Sequence, residues 1–175
     1  TLGARAILAA ADAFTQFENS LRVAGVSASN MADVSNRLFT AANRNGVEIG
    51  ALSTLYSRAS MAAVELGASQ GQLLKFVDGV TAGLRVQGGS ASSASGALLQ
   101  LSQALGSGII RAEEFNSILE GAYPIAQAAA RGIDGMGGSV AKLRTAVAAG
   151  NVTSSQFFDG LLKGFTETER QAAGM

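Results

Sequence analysis

The chain has 175 residues and no net charge, with 13 basic and 13 acidic side chains. The sequence contains no Cys and no His, which excludes disulfides, thiolate nucleophiles, His-based triads and the common zinc sites. Apolar residues make up 47% and charged residues 15%, but no apolar run reaches the roughly 18 residues of a membrane-spanning helix. A neutral chain also lacks the basic field that nucleic acid requires as the main partner.

Apolar residues recur at helical spacing along nearly the whole chain, which predicts an all-α fold. We expect about nine short to medium helices, in an antiparallel helical stack or a small solenoid with Gly/Ser turns. In chain order, the apolar stripes occupy residues 7–21, 31–42, 49–66, 73–84, 94–105, 115–119, 125–133, 140–147 and 157–165. Residues 17–26 have a second interpretation, an extended segment that buries Phe17, Leu21 and Val23.

Glycine marks the expected ends of these helices, where it relieves the strain of a left-handed cap. In the first half the spacing is near 21 residues, which corresponds to one helix plus one turn. The glycines at these stops are Gly25, Gly46, Gly67, Gly88, Gly106 and Gly150.

Polar residues mark several helix starts. Ser69 with Gln72 and Thr153 with Gln156 have the spacing of capping boxes. Pro124 stands where a helix is expected to begin, a position at which its missing N–H has no cost.

A motif recurs with an offset of 42 residues. Residues 108–115 and 150–157 both contain Gly, any residue, a β-branched residue, three residues, Glu or Gln, and then Phe. The first copy joins a helix that ends in glycine to a helix with a charged first turn. The repeat therefore indicates helix–turn–helix units and not a catalytic loop.

Two short motifs resemble catalytic or nucleotide sites. Ser139 and Lys142 match S-x-x-K, but the S-D-N and K-T-G motifs of penicillin-recognising enzymes are missing from the sequence. Residues 135–139 are rich in glycine, but they follow an expected helix and not the strand that a dinucleotide site needs. We interpret Ser139 as an N-cap and the glycines as an interhelical turn.

Acidic residues cluster in the helix that follows the first copy of the motif. Glu113 and Glu114 are expected in its first turn, where they favour the helix dipole. Glu120, near its end, is the strongest candidate for an acid–base residue. We nevertheless predict no catalytic, cofactor-binding or metal-binding residue and no cofactor.

The segment 99–130 resembles the conserved segment of the tape measure domain of bacteriophage and prophage tail tape measure proteins. Ala112 departs from it, because the family tends to have Gly there, and the family tends to have Ala-Pro where Tyr123 precedes the proline. The resemblance covers about 150 residues, from near Phe17 to near Leu162. The residues that carry it most clearly are Gln100, Gln103, Gly108, Arg111, Glu114, Phe115, Glu120 and Pro124.

The resemblance implies a structural function without catalysis. The chain 1–175 would be a single helical tape measure domain, a fragment of a longer protein whose length sets the length of the tail. Its partners would be the phage tail tube protein and tail assembly chaperones, with self-association possible. It would be made in the bacterial host cytoplasm and reside in the tail of the virion.

Some interpretations remain open at this stage. Gln100 and Gln103 are expected either to bond the turn backbone of residues 106–108 or to be exposed, with the bond slightly favoured. The alternative function is a module that acts at the host envelope during DNA ejection. It would either hydrolyse peptidoglycan through Glu120 or bind membranes through the Ala-rich segment 125–133.

Overall fold

The computed structural model describes the backbone of residues 2–175 and, within it, all side chains except those of residues 2, 6–11, 13 and 91. These residues form an all-α fold, as the apolar spacing predicts. In chain order the helices are α1 Leu2–Val23, α2 Ala28–Asn45, α3 Ile49–Met61, α4 Ala63–Leu66, α5 Gln70–Gln87, α6 Ala91–Gly106, α7 Ala112–Gly121, α8 Tyr123–Gly132, α9 Val140–Ala148 and α10 Ser154–Ala173.

The predicted helix starts are confirmed. Both capping boxes are complete: the side chains of Ser69 and Thr153 accept from the backbone N–H of Gln72 and Gln156, which reach back in turn to the N-cap N–H. Pro124 lies in the first turn of α8. These bonds satisfy N–H groups that a helix leaves without internal partners.

The glycine stops in the first half are also confirmed. Gly46, Gly67 and Gly88 follow α2, α4 and α5 with φ between 66° and 68°, the left-handed conformation that other L-residues adopt at a cost. An ideal Cβ built on any of the three would meet no atom within 4 Å. These glycines therefore serve the backbone and not the packing.

Buried apolar residues from α1 to α10 form one core. In the part of the core that α7–α10 build, α10 is the central helix. α10 packs against α8 and α5, whereas α3 packs against α6 and α2 against α5. Phe76 of α5 contacts both Phe158 and Phe165 of α10, with ring centroids 4.9 and 6.1 Å apart. The last helix thus joins the α7–α10 part of the chain to the α1–α6 part.

Helices α8 and α10 approach so closely that their backbones touch. A Cβ added at Gly132 would overlap the carbonyl of Gly160, and one at Gly164 would overlap the carbonyl of Ala128. Arg131 of α8 crosses the same contact and donates to the Thr168 hydroxyl at 2.8 Å. Small residues at four-residue spacing on both helices allow this approach, as at Gly-x-x-x-Gly helix pairs.

Three details differ from the sequence-based expectation. The extended interpretation of residues 17–26 is wrong, because α1 continues to Val23, which is 79% exposed and not buried. The stripe 49–66 is split at Ala62, whose φ of −88° and ψ of −1° separate α3 from α4. The stripe positions Ile7 and Ala10 lie outside the described side chains.

Candidate functional site

The two copies of the repeated motif pair with each other in space. The N–H of Ile110 donates to the carbonyl of Val152, and the N–H of Ser154 donates to the carbonyl of Gly108, both at 3.0 Å. Ile109 and Thr153 form an antiparallel bridge between the two turns. The sequence repeat is therefore also a contact, which ties the start of α7 to the start of α10.

Equivalent positions of the two copies meet in the core beneath this bridge. The β-branched residues Ile110 and Val152 are both buried. The rings of Phe115 and Phe157 stand edge to face, with centroids 6.5 Å apart and an interplanar angle of 89°. This geometry is favourable for aromatic pairs, so the Phe of each copy packs against the Phe of the other.

The helix caps of the two copies differ. Thr153 and Gln156 form the capping box of α10, but Arg111 caps α7 without a side-chain bond and Glu114 takes the position of Gln156. Glu114 is only 8% exposed and its Oε2 has no hydrogen-bond partner. Burial raises the pKa of Glu114, while the Arg111 guanidinium and backbone N–H oppose that rise.

Serine hydroxyls, and not glutamines, bond the α6–α7 turn. Ser107 Oγ donates to the carbonyls of Ala104 and Ile109, and Ser154 Oγ donates to the Ala104 carbonyl. The favoured expectation that Gln100 and Gln103 bond this turn is wrong for the hydrogen bonds that the structure describes. The sequence gives no sign of either bond, because Ser107 looks like an ordinary turn residue between two glycines and Ser154 bonds a carbonyl 50 residues away.

The motif residues divide into an inward and an outward set. Gly108 holds the turn with a φ of 83°, and Glu114, Phe115 and Pro124 are buried. The outward set consists of the exposed residues Gln103, Arg111 and Glu120 and the half-buried Gln100.

Gln100 and Glu120 line the same open groove between α6 and α7, which has a volume of about 340 Å³. Ser93 and Ser117 add hydroxyls to its lining, and Gly96 leaves it wide because an added Cβ would meet nothing within 4 Å. No charged side chain lies between Arg85 and Arg111, so the α6 wall of the groove is uncharged. This polar surface, which we call the α6–α7 groove, is accessible to a partner.

The remaining candidate motifs have structural roles. Ser139 Oγ accepts from the backbone N–H of Lys142 and caps α9, as expected of an N-cap. Gly135, Gly137 and Gly138 have positive φ and form the turn before it. In the described part of the chain, no helix is long and apolar enough to cross a bilayer. Among the same residues, no group of three or more Asp or Glu side chains could hold a metal ion.

Helices joined by capped turns, with a sequence motif that pairs with its own repeat, define an all-α protein. A family model described as tape measure protein matches residues 5–175, and the chain belongs to that family. No curated protein and no solved structure matches the chain. The chain therefore has the structural role of a tape measure protein and is a component of the phage tail.

Proposed function

We propose that this chain contributes to tail length determination and tail assembly as a folded docking domain of a longer tape measure protein. The match to the family over residues 5–175 carries the proposal. The length of the rest of the protein sets the length of the tail. The domain is made in the host cytoplasm and binds the tail tube protein or a tail assembly chaperone. It performs no catalytic step.

The packing of the chain supports a folded role. Its accessible surface of 8695 Å² is near the value of about 7900 Å² expected for a compact chain of 17.6 kDa. An unbroken helix of the same length would span about 260 Å at ~1.5 Å per residue. Extension would expose the core that α5, α8 and α10 bury together, at the cost of its hydrophobic stabilisation.

The outward motif residues are our candidates for partner contact. The resemblance to the family runs through both sets of motif residues, but only the outward set can touch another protein. Gln100 and Glu120 meet in the α6–α7 groove, and Gln103 is exposed on α6. Replacing Gln103 and Glu120 by Ala should weaken partner binding while leaving the unfolding midpoint unchanged. Asn43→Ala, on the exposed side of α2, is the matched control and should change neither partner binding nor the midpoint.

Tail length measured by electron microscopy tests the proposal. In a phage whose parent gene lacks the codons for residues 1–175, we expect few tails, or tails shortened by far less than 260 Å. Tails shortened by about 260 Å would show that the segment is stretched out as a ruler. Normal numbers of tails of unchanged length would contradict any role in assembly or length.

A further inference from the structure

The end of α2 carries a sequence that is chemically labile in unfolded chains, Asn45 followed by Gly46. When such a pair is flexible, the backbone nitrogen of the glycine attacks Cγ of the asparagine. The new C–N bond closes a five-membered succinimide, the Cγ–Nδ2 bond breaks and ammonia leaves. Water then opens the ring to Asp or to isoaspartate. Glycine favours the attack because it has no side chain in the way and few conformational limits.

The fold keeps the backbone nitrogen of Gly46, the nucleophile, in a hydrogen bond. The Gly46 N–H donates to the carbonyl of Ala42, and the Val47 N–H donates to the same oxygen at 3.0 Å. Asn45 is the last residue of α2 and Gly46 is fixed in the left-handed conformation at φ 66°. The attacking nitrogen must give up its hydrogen bond and leave this geometry, so the helix end has to open first.

The fold also fixes the side chain of Asn45, whose Cγ is the electrophile. Asn45 Nδ2 donates to the Ala41 carbonyl and to Thr81 Oγ1 of α5, each at 3.0 Å. Both protons of the amide are used in these bonds. The side-chain amide of Asn45 is thereby held against the α2–α5 contact, and Cγ has to leave these bonds before it can rotate to meet the Gly46 nitrogen.

The product of deamidation would not fit this site. The Thr81 hydroxyl is fully buried, donates to the carbonyl of Val77 at 3.0 Å and accepts from Asn45. A carboxylate has no N–H to donate, so the bond to the Ala41 carbonyl would be lost, and Thr81 would have to turn its proton away from Val77 to bond residue 45. Isoaspartate would in addition lengthen the main chain by one methylene between α2 and its glycine cap.

Access of water to Asn45 and Gly46 does not limit deamidation in the folded state. Asn45 and Gly46 line an open cleft of about 160 Å³, together with residues of the α5–α6 turn such as Gly88 and Ser90. Solvent therefore reaches the pair in the folded state, and hydrogen bonding and backbone geometry are what protect it.

We propose that Asn45–Gly46 is a deamidation site that the folded domain protects and that unfolding exposes, so that deamidation prevents the α2–α5 contact from reforming. The fraction of chains deamidated at Asn45 would rise with the time that the chain has spent unfolded. The inference does not depend on the proposed role in tail assembly, because it rests on bonds within this chain.

Peptide mapping by mass spectrometry tests the protection. The 175-residue chain is incubated at pH 8 in native buffer and in urea, and the mass gain of the peptide with Asn45 is followed over time. Because about 10⁻³ or less of a native protein is unfolded, we expect deamidation at this site to be at least about tenfold slower in native buffer. Equal rates in the two solutions would overturn the proposal.

A variant pair tests the role of the Thr81 bond. Thr81→Val removes the acceptor for Asn45 and should speed deamidation in native buffer. Thr145→Val, on the exposed side of α9, removes a similar bond from a hydroxyl to a carbonyl four residues earlier and should leave the rate unchanged. Equal rates in both variants, with both folded by circular dichroism, would contradict the assigned protection.

Refolding tests the consequence and needs no variant that might fail to fold. Wild-type chain deamidated in urea is separated from unmodified chain by its added negative charge, and both are returned to native buffer. We expect the deamidated chain to show a lower urea midpoint or no cooperative transition. A midpoint equal to that of the unmodified chain would contradict the claim that the product cannot restore the site.

Discussion

Glycines perform two different tasks in this chain. In the α2–α6 part, glycines such as Gly46 and Gly88 end helices in a left-handed conformation, and their surroundings are open. In the α8–α10 pair, Gly132 and Gly164 lie within helices, and the carbonyl of the opposite helix occupies the space of a side chain. The first group sets where the chain turns, and the second sets how closely two helices approach.

We therefore expect close packing to matter more than backbone conformation for the loss of stability when a glycine is replaced. A methyl group at an open turn is limited only by the left-handed backbone, a cost of about 1–2 kcal/mol. A methyl group between two backbones must push whole helices apart, because neither carbonyl can rotate away. Three glycine substitutions test this ordering, and one carboxylate substitution tests the difference between the two copies of the motif.

Gly164→Ala should have the largest effect. Its Cβ would overlap the Ala128 carbonyl, so α10 has to move away from α8 and loses contact with α5 as well. We expect a loss of about 3 kcal/mol or more in the free energy of unfolding, or failure to fold. Urea titration followed by circular dichroism measures it, and a loss below about 1 kcal/mol would show that the helices are not in backbone contact.

Gly88→Ala should cost less. The new Cβ meets no atom within 4 Å, but φ is 67°, so the cost is conformational and should be about 1–2 kcal/mol. Gly88→Asn is the matched control, since Asn adopts the left-handed region more readily and should lose less. A loss for Gly88→Ala as large as that of Gly164→Ala would remove the distinction between the two groups.

Glu114→Gln should stabilise the domain by about 1 kcal/mol at pH 8, because it removes a buried charge with an unpartnered oxygen. The pKa of Glu114 is raised in the folded state, so its favourable contribution is complete below the unfolded pKa of about 4.3 and is lost as pH rises through the folded pKa. The gain should therefore disappear at pH 4.

The charges that act on Glu114 are those of Arg111 and Glu113, from its own turn. α6, which packs against α7, has no ionisable side chain, and Lys142 and Arg144 lie exposed on the neighbouring α9. Urea midpoints at pH 4 and pH 8 measure the effect, with Glu113→Gln at the exposed neighbouring position as control. A pH-independent gain would mean that packing, and not ionisation, distinguishes Glu114 from Gln156.

Gly96→Ala should have the smallest effect and the opposite sign to Gly164→Ala. Gly96 lies within α6 with open space where a Cβ would be. Alanine favours the helix over glycine by about 0.5–1 kcal/mol, so the urea midpoint should rise slightly. A clear loss of stability would indicate that the α6–α7 groove is narrower than described.

The parts of the fold that the sequence predicted depend on local signals. Capping boxes, glycine stops and apolar spacing act within one or two helical turns, and the structure agrees with them at Ser69, Thr153 and Gly88. The pairing of residues 108–110 with 152–154 was not predicted, although the repeat was, because a repeat does not reveal which copies touch. The expected burial of Val23 is wrong, because an apolar residue at a helix end can face the core or the solvent.

The α8–α10 contact also had a signal in the sequence. Gly160 and Gly164 are four residues apart, as are Ala128 and Gly132, and this spacing is typical of closely packed helix pairs. Glycines in this chain are so frequent at turns that the spacing alone did not separate packing glycines from turn glycines. Which outward motif residues contact a partner is a long-range question that local patterns do not address.

Tail counts and lengths from two otherwise identical phages, one with Gly164→Ala and one with Asn43→Ala in this domain, test the central claim most directly. If the domain works in its folded form, Gly164→Ala should yield few or no tails, while Asn43→Ala, on the exposed side of α2 and outside the α6–α7 groove, should yield normal numbers of normal length. If both phages make normal numbers of tails of equal length, the fold is not required, and the account of a folded docking domain is wrong.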